Sequence, residues 1–229
     1  MGYQNSCLPS FRLNSDPSQL CGWKKIFQTE ESRKVPKKVI IVEQGQEVNY
    51  LYYIHKGMVE YTYIREDGSQ ELLEILGEGS IFGLQPIFGK NPAVGSFITL
   101  NDTILNLIRV DKLNAYMDQD PRLAKELLVE LSKITGGLIR QLNERTLSAE
   151  RRIEELIYLL AEYSNREEAA TGNIHISLSQ DDIARITRTT RVTVTKAVGE
   201  LKKQRLIDTC YGGIIVRDFS GLGNTLSKF

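Results

Sequence analysis

The chain has 229 residues with 29 basic and 29 acidic side chains, so its formal net charge is zero, and it is 41% hydrophobic and 25% charged. That is an ordinary globular composition, with core enough for one large or two small domains, and a neutral total argues against a non-specific nucleic-acid coat. No apolar run approaches the ~20 residues of a membrane span and the N-terminus lacks a basic-then-apolar signal, so a cytoplasmic location without a membrane partner is expected.

The first 35 or so residues are polar and irregular, with Pro9, Pro17 and Pro36 as breakers. After them Gly45, Gly57, Gly68 and Gly79 recur at spacings of 12, 11 and 11, separating the apolar or aromatic runs VIIVE, YLYYIH, MVEYTYI and ELLEIL. Short strands with glycine turns at this spacing predict an antiparallel barrel or jelly roll over 1–118, with Asp67-Gly68 as one hairpin turn. Two further runs lie between Ser96 and Val110, separated by Asn101-Asp102.

From Asp120 to about Glu144 the period becomes helical. Leu127, Leu131, Ile134, Leu138 and Leu142 follow spacings of four, three, four and four, a stripe suited to a dimer seam on a long helix over 119–147. Packing against its own β domain is the competing reading, and both can hold on different faces. Gly136-Gly137 lowers helix stability mid-way and marks a candidate hinge.

The remainder, 148–229, opens on an amphipathic helix from about Ala149 to Tyr163, turns at Thr171-Gly172-Asn173 and continues in the short strand IHISL. Ser179 followed at three residues by Asp182 is a capping box for a short helix bearing Ile183, Ala184 and Ile186. Thr190 then caps a second helix running to about Gln204. With Arg191 at zero and about 100° per residue, Val194, Ala197, Val198 and Leu201 fall on one side. Arg191, Val192, Thr195, Lys196, Gly199, Lys202 and Lys203 fall on the opposite arc. From Arg185 to Arg205 seven Arg or Lys face one Glu (Glu200), a local net of +6. A phosphate backbone attracts such a surface through counterion release. Leu206–Thr209 and Gly213–Val216 read as a small hairpin, which completes a winged helix–turn–helix. A solvated amphipathic helix is the alternative for a bare charge run, but here the caps, the helix–turn–helix spacing and the segregated basic face coincide.

A β domain, a long helix and a winged helix–turn–helix in this order resemble the CRP/FNR family of bacterial transcription regulators. The likeness runs over nearly the whole chain after about residue 25 and is strongest in YLYYIHKGMVE, EDGSQELLEILGEGSIFG and TTRVTVTKAVGELKKQRLI. It implies an α+β protein with a cyclic-nucleotide-binding-like β domain. It implies a homodimer in which a small effector, held between that domain and the long helix, reorients the recognition helices onto a palindromic promoter site and recruits RNA polymerase, most simply as an activator. By position, the resemblance makes Arg191, Val192 and Lys196 base-facing. Thr193, Ser179 and Gln180 become phosphate contacts, with Thr195 on the same arc and Thr190 as cap. Many members carry Glu where this chain has Val192, and valine packs on a thymine methyl rather than accepting from cytosine, so an A·T-richer half-site is expected.

The effector pocket departs from the family pattern. Cyclic-nucleotide-binding members follow the Phe-Gly here with Glu for the ribose and later use Arg for the phosphate, whereas this chain has Phe82-Gly83-Leu84 and Pro92-Ala93-Val94. Leu84 and Ala93 thus stand where those polar groups would be, and a buried phosphate without a counter-charge loses several kcal/mol. Tyr61, Leu73 and Glu74 align with pocket-lining positions, and Ile134 and Leu138 face them from the long helix. Tyr61 is the best candidate for ligand contact, because its phenol offers a stacking face and a polar handle; Tyr50, Tyr52 and Tyr53 are expected on exposed strand faces. The expected effector is apolar or aromatic rather than cyclic AMP. The VTVTK core and this pocket resemble the CprK-like branch, which senses halogenated aromatics and controls reductive dehalogenation.

No cofactor is expected, and no enzyme. His55 and His175 lie in different domains, short of the clustered ligands a catalytic metal needs, and no nucleophile–base pair or phosphate-cradling loop appears. Cys7, Cys21 and Cys210 are too few and too scattered for a disulfide framework, a zinc site or an iron–sulfur cluster. Free thiols are the ordinary state in a cytosol, with a redox pair between an N-terminal cysteine and Cys210 left open. Haem or redox sensing, cyclic-nucleotide sensing and a signalling β domain that binds no DNA stand as alternatives.

Overall fold

The computed structural model describes residues 10–12, 20–143, 147–168 and 173–226, with side chains omitted at residues 10, 140–143 and 165–168. They divide into two compact units, Ser10–Leu142 and a C-terminal unit that begins at Asn143.

The first unit runs β1 (Ser10–Arg12), α1 (Cys21–Phe27), β2 (Glu31–Val35), β3 (Ile40–Val42), β4 (Tyr50–Lys56), β5 (Val59–Ile64) and β6 (Gln70–Leu76). It continues with β7 (Ile81–Phe82), α2 (Leu84–Gly89), β8 (Ser96–Thr99), β9 (Thr103–Arg109), α3 (Val110–Gln119) and α4 (Pro121–Asn143). Two sheets, β1-β6-β5-β8-β3 and β2-β9-β4-β7, form a jelly-roll-like domain rather than a closed barrel. The expected hairpin at Asp67-Gly68 joins β5 to β6, with Gly68 at φ +79° and the Asp67 carboxylate accepting from the Ser69 N–H at 2.8 Å. Val42, Ile54, Val59, Leu76, Phe97 and Leu107 fill the space between the sheets.

A second apolar layer covers the outside of the four-stranded sheet, where Trp23, Phe27, Leu113, Leu123 and Leu127 pack on Leu51, Tyr53 and Ile108. This layer corrects two expectations. The polar N-terminal stretch contains α1, whose Leu20, Trp23 and Phe27 sit three and four apart on one helical face. No side chain of its own caps α1; the Glu126 carboxylate accepts from the Gly22 and Trp23 N–H groups at 3.1 and 3.3 Å, and the Trp23 indole donates to the Leu123 carbonyl at 2.8 Å. Tyr52 and Tyr53 are buried rather than exposed, because both faces of β4 are covered: Tyr52 stacks on Phe82 at 4.8 Å inside and Tyr53 on Phe27 at 5.1 Å outside. Tyr50 is half-buried. α4 is continuous through Gly136-Gly137 and packs within the first unit.

The second unit comprises α5 (Ala149–Glu168), β10 (Ile174–Ile176), α6 (Gln180–Ile186), α7 (Arg191–Lys203), β11 (Ile207–Cys210), β12 (Gly213–Val216) and α8 (Phe219–Leu226). The antiparallel sheet β10-β12-β11 makes the wing, with Cys210 opposite Gly213 across the turn. Thr171 and Gly172 of the expected turn lie outside the described residues. α8 had no sequence expectation. It is held by Leu222, which is buried, by Phe219 stacked on Tyr158 at 4.9 Å, and by Arg151, which donates to the Thr225 carbonyl at 3.0 Å and to that of Leu226.

Candidate nucleic-acid interface and effector cavity

α6 and α7 are set by their caps. The Ser179 hydroxyl accepts from the Asp182 N–H at 3.1 Å while the Asp182 carboxylate accepts from the Ser179 N–H at 3.3 Å, the reciprocal pair of a capping box. Thr190 accepts from the Thr193 N–H at 3.2 Å and caps α7. Between the helices Arg188 takes a left-handed φ of +50°, and buried Thr187 donates to the Ile183 carbonyl at 2.7 Å. The Arg152 guanidinium of α5 braces this turn from beneath, donating to the Thr187 carbonyl at 2.8 Å.

Val194, Ala197, Val198 and Leu201 of α7 are buried, and Arg191, Val192, Thr195 and Lys196 are exposed, Val192 by 80%. The side chains on this face are unequally free. Arg191 lies 3.4 Å from the Asp181 carboxylate, and Lys202 lies 3.2 Å from Asp208. The Thr195 hydroxyl is 2.8 Å from the Gln180 amide oxygen and 2.9 Å from the Arg191 carbonyl. Thr193 is half-buried with its hydroxyl 2.9 Å from that of Thr190. Lys196 has no salt-bridge partner among the described residues. Exposed ion pairs of this kind contribute about 0–1 kcal/mol and exchange readily for phosphate. Tyr211 at the wing tip is fully exposed, a further surface residue of this unit with no prior sequence signal.

The first unit encloses a cavity of about 80 Å³, partly open to solvent. Tyr61, Glu74, Gly83, Leu84, Ala93, Val94 and Ile134 line it, as the sequence pattern anticipates. Leu73 and Leu138 do not. The β5–β6 register shifts between Tyr61 opposite Glu74 and Thr62 opposite Leu72, which leaves Leu73 as the bulged residue, while Leu138 is exposed one turn beyond Ile134. Phe82, Gln85, Pro86, Phe97 and Leu131 complete the wall, together with Arg12. Tyr61 stacks on Phe97 at 4.5 Å and Phe97 on Phe82 at 4.6 Å. Burial, and then Glu74, push the Tyr61 phenol above its ordinary pKa, so it stays protonated. Gly95 makes room for the Tyr61 ring: a Cβ there would lie 2.9 Å from Cε2 of the ring and 2.3 Å from the Thr62 carbonyl oxygen.

Arg12 is the cavity residue that no sequence signal marks. β1 pairs parallel with β6, Arg12 opposite Leu76, and its guanidinium enters the cavity wall. Nε and Nη2 donate to the two Glu74 carboxylate oxygens at 2.7 and 3.0 Å, and Nη1 donates to Glu130 of α4 at 2.7 Å and to the Ile81 carbonyl at 3.0 Å. The three side chains are 10%, 7% and 1% exposed. Burial opposes the guanidinium charge, but Glu74 and then Glu130 outweigh it and raise the Arg12 pKa further.

Along α4, Leu127 is buried in the apolar layer of its own unit, which corrects its place in a dimer seam; Leu131 and Ile134 line the cavity. The side chain of Leu142 lies outside the described residues. Leu128, Val129, Leu131, Leu138 and Ile139 are exposed on the helix, so the uncovered apolar face differs in part from the expected stripe. His55, His175, Cys21 and Cys210 are exposed, and no three His, Cys, Asp or Glu group as metal ligands among the described residues; Cys7 lies outside them. No described helix is long and apolar enough to cross a membrane.

Residues 32–120 match the cyclic nucleotide-binding domain family and residues 151–225 the Crp-like helix-turn-helix domain family. The chain is similar to the CRP-like cAMP-activated global transcriptional regulator of Mycobacterium tuberculosis, 25% identical over 191 residues that cover 81% of this chain and 82% of that one. In backbone it resembles the c-di-GMP responsive regulator CLP of Xanthomonas campestris, with TM-score 0.67 at 17% identity over 88% of this chain and 99% of the other. It also resembles CprK complexed with OCPA, with TM-score 0.61 at 20% identity over 96% and 98%. A nucleotide-binding-type domain followed in one chain by a Crp-like helix–turn–helix, on the fold those two structures share, makes this protein a member of the CRP/FNR family of DNA-binding transcription regulators rather than an enzyme.

Proposed function

We propose that the protein is a homodimeric, effector-gated regulator of cytoplasmic DNA. It binds a palindromic promoter site through α7 and acts as an activator that engages RNA polymerase. The observation that carries this reading is that α4 meets the cavity and also leaves apolar surface uncovered: Leu131 and Ile134 border the cavity, while Leu128, Leu131, Leu138 and Ile139 are exposed on the same helix. An occupant of the cavity therefore touches the helix that offers an apolar surface to a second copy.

The effector of this proposal is a small apolar or aromatic molecule. The cavity is walled by stacked aromatics, and Leu84 and Ala93 stand where cyclic-nucleotide binders carry polar groups. CprK, which shares the fold, is solved in complex with OCPA, and a halogenated aromatic is the form of effector we propose.

A thermal-shift screen of metabolites and substituted aromatics, with and without palindromic promoter DNA, tests this reading. Stabilisation by an aromatic, increased by DNA, is expected. Stabilisation by cyclic AMP alone would overturn the effector class. Lys196→Ala should abolish promoter binding and leave the dimer intact on size-exclusion chromatography; normal binding by this variant would overturn the assignment of α7.

A further inference from the structure

We infer that Arg12, Glu74 and Glu130 make the cavity charge-selective, so that it admits an uncharged, hydrogen-bond-donating effector and rejects anions. This inference rests on the proposed aromatic effector and specifies its chemistry. Arg12 lies outside the matched nucleotide-binding domain, on a strand the chain adds in parallel to β6. It is the cation of the cavity wall, and it is already committed. Four of the five N–H donors of a guanidinium are used here, two on Glu74, one on Glu130 and one on the Ile81 carbonyl. Lys133 adds a second positive charge 3.4 Å from the far oxygen of Glu130, so two cations face two carboxylates and no positive charge is left over.

An anion entering this site meets a buried Glu74 and a guanidinium whose charge is already compensated, with a single Nη2 N–H left over, so pairing it fully means breaking the bidentate Arg12–Glu74 pair in a desolvated wall. A neutral donor meets the opposite situation. Each Glu74 oxygen holds one bond from Arg12, whereas a carboxylate offers about four acceptor positions, so acceptor capacity is left at the cavity. Tyr61, protonated and stacked on Phe97, supplies a ring face beside it.

Phenol and benzoate, single rings of similar size that are neutral and anionic at pH 7, serve as probes, with binding read by ligand-observed saturation-transfer NMR. Wild-type protein is expected to favour phenol by at least tenfold. Glu74→Gln releases the guanidinium and should bring the ratio near one or reverse it, and Arg12→Met in the Glu74→Gln background should restore the preference for phenol. Glu130→Gln, which frees a different N–H of Arg12, provides the same readout with a smaller change if Glu74→Gln does not fold. Equal binding of both probes by wild type, or a ratio untouched by either substitution in folded protein, overturns the charge selection and leaves the aromatic-effector reading standing. Failure of both probes to bind any variant overturns that reading, and the selection with it.

Discussion

Replacing Arg12 by Met is the sharpest test of how this β domain is held together. The side chain joins three elements, β1 through its own backbone, β6 through Glu74 and α4 through Glu130, and its loss takes the guanidinium from two carboxylates that are 7% and 1% exposed, leaving Glu130 only the Lys133 ammonium at 3.4 Å among the described residues. Removing one partner of a buried ion pair costs about 3–5 kcal/mol, because the remaining charge is left desolvated. For a unit of this size that corresponds to a fall in Tm on the order of 10 °C. Urea unfolding of wild type and Arg12→Met measures this. A loss below about 1 kcal/mol, the scale of an exposed pair, would refute the reasoning.

Three further outcomes follow from particular contacts. Gly95→Ala places a methyl 2.3 Å from the Thr62 carbonyl oxygen and 2.9 Å from the Tyr61 ring; it should destabilise the β domain by about 1–3 kcal/mol in urea unfolding and displace Tyr61, seen as a change in near-ultraviolet circular dichroism. Glu30 is buried against its charge, yet hydrogen bonds from Lys112 and Tyr116 win and hold its carboxyl below the ordinary range. Its stabilisation is present above the unfolded-state pKa and lost as pH falls through the lower folded one, so Glu30→Gln should flatten the acid limb of the stability profile relative to wild type. Arg191→Ala gives up an exposed pair with Asp181 and should leave thermal stability within about 0.5 kcal/mol. Its promoter affinity should drop by about 1–3 kcal/mol, roughly 5- to 150-fold in a titrated mobility shift, if the guanidinium reads a guanine edge.

What the sequence determined by itself is local. The capping box at Ser179, the cap at Thr190 and the division of α7 into a buried and a cationic face depend on residues three or four apart, and hydrogen bonding and helical period act over that range. The glycine turns between the strands are local in the same sense, and Leu84 and Ala93 could be placed beside the cavity because they lie in a motif-bearing segment. α1 was in principle legible from Leu20, Trp23 and Phe27, but seven residues without a cap of their own lack the signal that α6 carries.

Tertiary structure alone decided what each face meets. Tyr53 is buried because α1 covers the outer face of β4, and Leu127 because the same apolar layer reaches α4. Leu73 drops out of the cavity through a single bulge. Arg12 reaches Glu74 across 62 positions and Glu130 across 118, a distance over which no periodicity or cap carries information. A strand of three residues has no pattern of its own; it becomes a strand because the open edge of β6 supplies its hydrogen bonds, and its arginine is a cavity residue because two buried carboxylates there require a counter-charge.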